Sequence, residues 1–103
     1  MKKIMENTTP AERADIQTNL MVATLSLSDE QAVQIRAVNL KYAKKVREIY
    51  NSQGSKFKKF RKMRKLGNDK DKELKTILSN EQYEKYKKIK KEIRDKTMEK
   101  LQQ

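Results

Sequence analysis

Leu27-Ser28-Asp29-Glu30-Gln31 is answered half a chain later by Leu78-Ser79-Asn80-Glu81-Gln82. Each copy reads as a helix start. Serine followed three residues later by glutamine is a capping box: the hydroxyl accepts from the N3 backbone N–H, and the glutamine carbonyl oxygen accepts from the N-cap N–H. Two donors that a helix N-terminus leaves open are satisfied, at about 1 kcal/mol per good cap. Asp29, Glu30 and Glu81 fall in the first turns, where the helix dipole favours negative charge. Leu78 precedes the second cap and is spaced to staple against Tyr83; Leu27 against Ala32 is a weaker version. As local geometry these are ordinary capping boxes. As a repeated phrase at the head of two long charged segments, they organise the fold.

Working outward, Thr9-Pro10-Ala11-Glu12 makes another start, with Thr9 as N-cap, Pro10 at N1 and Glu12 closing the box. Ile16, Leu20 and Ala23 follow on one face, and this first helix is expected to end near Thr24. Residues 1–8 read as a flexible leader ahead of a single helical domain over 9–103. After Ser28, Ile35, Val38, Tyr42, Val46 and Ile49 step by three and four and define a seam for a partner helix. Gln53, Phe57, Phe60 and Met63 or Arg64 continue that stripe in phase across Gly54. The phase predicts one helix to about Leu66, bent at Gly54 and roughly 55 Å long. Gly67 then suits a C′ position, with Asn68 or Asp69 capping a short third helix that carries Leu74, Ile77 and Leu78. The fourth, from the second repeat, carries Tyr83, Tyr86, Ile89, Ile93, Met98 and Leu101. No strand pattern occurs. The expected fold is all-α: four helices, with the second and fourth as antiparallel arms of a long hairpin.

Composition bounds the partners. Charged residues make up 39% of the 103 residues and hydrophobic ones 35%. A domain this small buries only ~60–65% of the surface its unfolded chain exposes, so homodimerisation is expected to complete the core. The net charge of +12 points to acidic partners: nucleic acid, an anionic membrane surface or acidic polypeptide. That charge is concentrated, since residues 35–66 carry twelve basic side chains against Glu48 alone, whereas residues 1–34 are net negative. No apolar run approaches the ~18–20 residues of a membrane span. Met1-Lys2-Lys3 resembles the basic start of a signal peptide, but no apolar stretch follows it.

Catalysis finds no footing, because the chain has no His and no Cys. The usual general base, thiol nucleophile and soft metal ligands are therefore missing. Glu30, Glu81, Glu84 and Glu92 lie among lysines, where no raised carboxyl pKa is expected. Asp69-Lys70-Asp71 lacks the Gly and closing Glu of a calcium loop. No catalytic residue, metal or cofactor is expected. The candidate site is instead Lys56-Phe57-Lys58-Lys59-Phe60-Arg61-Lys62-Met63-Arg64-Lys65, seven of whose ten residues are basic. On a helix, Phe57, Phe60 and Met63 form a ridge flanked by cations. The ridge can be core beneath a solvated charged face. It can be a capture surface, to which long-range attraction draws acidic chains that adaptable apolar groups then hold loosely. It can also lie on phosphates. Nucleic acid is the less favoured partner, since no helix-turn-helix, zinc-finger or RRM pattern is present. A membrane-surface helix is disfavoured by the narrow apolar face without Trp.

Leu25-Ser26-Leu27-Ser28-Asp29-Glu30-Gln31 resembles the L-x-L-T-x-x-Q signature of the Spy/CpxP family of bacterial periplasmic chaperones and stress regulators. Ile77 through Tyr86 resembles that family's closing L-T-x-E-Q and the basic, aromatic-bearing helix after it. Ser28 and Ser79 stand where the family usually has Thr, and serine caps as well as threonine does. The motif residues would be Leu27, Ser28, Gln31, Leu78, Ser79 and Gln82. The resemblance implies an antiparallel homodimer with a basic cradle, periplasmic location after removal of a signal peptide, and ATP-independent binding of unfolded polypeptides at residues 56–65. Its CpxP branch implies the alternative of a regulator docking on a membrane sensor kinase. The absence of His argues against the family's zinc- or nickel-sensing members.

Overall fold

Thr9, Ser28 and Ser79 each cap a helix, and all three capping boxes close. In the repeats, Ser28 N–H donates to Gln31 Oε1 at 3.0 Å and Ser79 N–H to Gln82 Oε1 at 2.9 Å. The computed structural model describes the backbone of residues 2–102 and the side chains of residues 5–102. Among the described residues the chain is all-α, 88% helical and without strands. The helices are α1 (Lys2–Asn7), α2 (Pro10–Leu25), α3 (Asp29–Asn51), α4 (Lys56–Ile77) and α5 (Asn80–Leu101).

The continuous helix expected from Ser28 to Leu66 is replaced by a hairpin. α3 stops at Asn51, where the Ser52 N–H and hydroxyl both turn back onto the Ile49 carbonyl. Gly54 takes φ +135°, a conformation L side chains rarely adopt, and Ser55 caps α4 by accepting from Lys58 N–H. The molecule's longest extent is 38 Å, shorter than the ~55 Å such a helix would need. The unbroken phase is a coincidence of the link's length. Phe57 and Phe60, which continue the stripe, are exposed. Gly67 does not end a helix either. It lies inside α4, which runs on through Leu66 to bring Leu74 into the core, so the expected break at Asn68 or Asp69 and the separate short helix are absent. The two glycines should respond oppositely to alanine. Gly54→Ala forces a strained φ and is expected to destabilise by ~1–3 kcal/mol. Gly67→Ala adds a Cβ that meets nothing and should stabilise by ~0.5–1 kcal/mol. Urea midpoints for both variants check this.

Packing follows from the short links. α2 lies against both α3 and α5, and α3 pairs with α4. The hairpin arms are therefore α3 and α4, not the two helices that open with the repeats. Met21, Ile35 and Leu74 are fully buried, and Tyr42, Leu78, Tyr86 and Ile93 join their cluster. A polar pin crosses α2 and α3: Asn39 Nδ2 donates to Thr18 Oγ1 at 2.9 Å. α1 forms over Lys2–Asn7, with Met5 buried. The radius of gyration, 13.6 Å, matches the ~13 Å of a compact 100-residue domain.

The repeats meet. Gln31 Nε2 donates to Gln82 Oε1 at 2.7 Å, and Gln82 Nε2 returns a bond to Gln31 Oε1 at 3.1 Å. Each amide also donates across to the last turn of the other repeat's preceding helix. Gln31 reaches the Ile77 carbonyl at 3.1 Å, and Gln82 the Leu25 carbonyl at 3.2 Å. One clasp thus ties the ends of α2 and α4 to the starts of α3 and α5, an up-down-up-down arrangement. Near that end Tyr86 Oη donates to Asp71 at 2.8 Å and Lys90 pairs with the same carboxylate at 3.0 Å. Farther along, α4 and α5 part around a cavity.

Candidate functional site

All ten residues of the expected site, Lys56 to Lys65, lie in the first half of α4. Their helix starts on a lone Ser55 cap, without the reciprocal acid or amide of a box and with no acidic residue in its first turn. Lys56, Lys58 and Lys59 stand there instead, at the positive end of the helix dipole, where each cation is unfavourable by ~0.3–1 kcal/mol. A local rule broken this way is commoner at functional sites than in scaffolding.

The ridge divides. Phe57 is 68% exposed and Phe60 63%, so neither belongs to the core of this chain. Met63 is half-buried and faces the cavity between α4 and α5. Arg61 lies over the Phe57 ring at 5.7 Å from its centroid, a cation–π contact that holds charge and ring together. Lys58, Arg61, Lys62 and Lys65 line a shallow recess on the helix surface. Lys59 turns back to donate to the Tyr50 carbonyl at 3.0 Å, which binds the start of α4 to the end of α3. Among the described residues, Lys65 is the member of the cluster with an ion-pair partner, Asp69 at 2.9 Å, and that hydrogen bond holds the Asp69 carboxyl below its ordinary value.

Behind this face the hairpin is braced. Lys41 and Tyr42 of α3 both donate to the Glu73 carboxylate of α4. Those two bonds hold Glu73 below the usual carboxylate range, and the bond to Glu73 pushes the Tyr42 hydroxyl up to about 12. The motif residues Leu27, Ser28, Gln31, Leu78, Ser79 and Gln82 are gathered at the opposite end of α4, as clasp and core. They position the basic face but do not belong to it. Sequence reasoning had no means of singling out Arg13 and Lys70, two cations drawn into the cavity wall. They are two among 26 Lys and Arg residues, and only the fold separates them from the rest. Among the described residues no group of acidic side chains could hold a metal ion, and no helix is long and apolar enough to cross a membrane.

No curated protein and no solved structure is similar enough to this chain to count as a match. The family model described as a domain of unknown function, DUF4890, matches residues 1–86, and the chain belongs to that family.

Proposed function

We propose that the chain is an ATP-independent chaperone that captures unfolded, acidic stretches of polypeptide on the outward face of α4. In this reading it acts in the periplasm, as a homodimer whose basic faces form a cradle, in the manner of the Spy/CpxP proteins its doubled phrase resembles. The observation that carries it is the pair of exposed rings, Phe57 and Phe60, set among seven cations. Two exposed rings on one helix face offer apolar surface to a passing chain. Here the surrounding charge attracts acidic chains from a distance, and two rings alone hold them weakly enough to let go without an energy source.

Aggregation of a reduced, unfolding client is the test. Suppression is expected at near-stoichiometric ratios at low salt. It should fade towards 1 M salt, where the screening length shrinks from ~10 Å at 0.1 M to ~3 Å. Lys58→Glu/Lys59→Glu/Arg61→Glu/Lys62→Glu should abolish it, and Phe57→Ser/Phe60→Ser should leave salt-sensitive encounter without protection. Unchanged aggregation at low salt would end the chaperone reading. A single acidic protein retained from envelope extract would instead favour docking on a sensor kinase.

A further inference from the structure

The cavity where α4 and α5 part has a chemistry of its own. It measures about 440 Å³, within the ~300–1,000 Å³ of small-molecule sites. Its apolar wall includes Met5, Met63, Leu66 and Met98. Methionines are unbranched and polarisable and mould themselves to flexible apolar chains. The charged groups in the lining are all basic, among them Arg13 and Lys70, and no carboxylate is among the lining residues.

The hydrogen-bond partners of those two cations are neutral. Arg13 is only 9% exposed. Its Nη1 donates to the Thr8 carbonyl and hydroxyl at 3.1 and 2.8 Å, while its Nη2 is buried with no hydrogen-bond partner. Lys70 is half-buried, and its ammonium donates to the neutral Gln17 Oε1 at 2.8 Å. Gln17 stands one helical turn beyond Arg13 on α2, and Arg13, Gln17 and Lys70 all line the cavity. Burial lowers the Arg13 guanidinium, with Arg47 adding repulsion and Glu12 opposing it, and brings the Lys70 ammonium down to about 8 against the attraction of Asp71. Buried positive charge is seldom kept unless something negative meets it.

We propose that this cavity binds a single-chain anionic amphiphile, a long-chain carboxylate whose head is held by Arg13 and Lys70 and whose tail lies on the methionine-rich wall. Guanidinium and ammonium together suit a carboxylate, which accepts several charge-assisted hydrogen bonds at once. A second copy of this chain is a poor occupant, because at net +12 it brings positive charge to a cationic cavity. The site is separate from the outward rings of α4, and its fate does not depend on theirs.

Calorimetric titration of the full chain with tetradecanoate, below its micelle-forming concentration, tests the proposal. One saturable site per chain is expected. The alcohol of equal length should bind at least about tenfold more weakly, as should tetradecanoate to Lys70→Met, since each loses a charged hydrogen bond. The trimethylammonium of equal length should not saturate, and Lys70→Arg and Phe57→Ser/Phe60→Ser should bind as the unmodified chain does. Equal binding of the three head groups, or an unaffected Lys70→Met, would overturn the proposal. So would absence of a saturable site, or loss of binding in the double phenylalanine variant. The head-group comparison needs no variant and decides the matter even if a substitution unfolds the chain.

Discussion

Gln31→Ala and Gln82→Ala should each destabilise the fold by about 2–3 kcal/mol, and the double variant should cost less than the two losses added. Each glutamine uses all four of its hydrogen-bonding positions. Its oxygen accepts from its own N-cap N–H and from the other amide; its nitrogen donates to the other amide and to a helix-terminal carbonyl. Removing one side chain opens a capping box, worth about 1 kcal/mol. It also strands a partly buried amide and a carbonyl, whose unmet desolvation adds ~1–2 kcal/mol. The two bonds between the amides belong to both residues and can be lost only once, so a coupling of ~0.5–1.5 kcal/mol is expected. Urea unfolding of the four chains in this cycle measures it. Single losses that add to within ~0.3 kcal/mol would mean that the amides act as separate caps and not as a clasp.

The second large effect is with pH. Stability should climb from about pH 8 towards pH 10 and then turn down. The Lys70 ammonium, ordinarily near 10.5, is brought by burial to about 8 in the fold. Between those values the unfolded chain holds a proton that the folded chain has released, so unfolding takes up protons and stability rises with pH. The shift corresponds to roughly 2–3 kcal/mol over the window. Beyond about pH 10 the tyrosines act in the opposite sense. Burial and the bond to Asp71 raise Tyr86, and the bond to Glu73 raises Tyr42, so both keep protons in the fold that the unfolded chain gives up. Lys70→Met should flatten the rising limb and lift stability at pH 7 by a similar amount, because a buried charge is exchanged for an apolar group of similar length. Thermal midpoints of both chains from pH 7 to pH 11 decide this. Parallel curves would show that the Lys70 ammonium is solvated.

What the sequence discloses, and what it hides, divides by range. Thr9, Ser28 and Ser79 act within four residues of themselves, and their helices start where the boxes say. The Ser55 cap escapes notice because Lys58, at its N3, cannot complete a box. An uninterrupted stripe then hides a break that depends on the φ of one residue, Gly54. Gly67 misleads in the other direction, since a glycine that suits a C-cap locally is overruled by the need to carry Leu74 into the core. For the site, the cations of residues 56–65 are plain in the sequence. That Phe57 and Phe60 are exposed while Met63 is half-buried depends on where the hairpin turns.

The clasp also has a bearing on time. Its two amides are 51 residues apart in the chain, whereas the α3–α4 hairpin closes through a link of a few residues. Closing a long loop costs more chain entropy than closing a short one, so the hairpin is expected to form early and the clasp to lock last. Interactions absent from the transition state govern how fast a protein comes apart rather than how fast it assembles. Gln31 and Gln82 should therefore act as a latch on the finished bundle: loosening it is expected to speed unfolding and leave the rate of folding nearly untouched, which stopped-flow unfolding and refolding of Gln31→Ala would check.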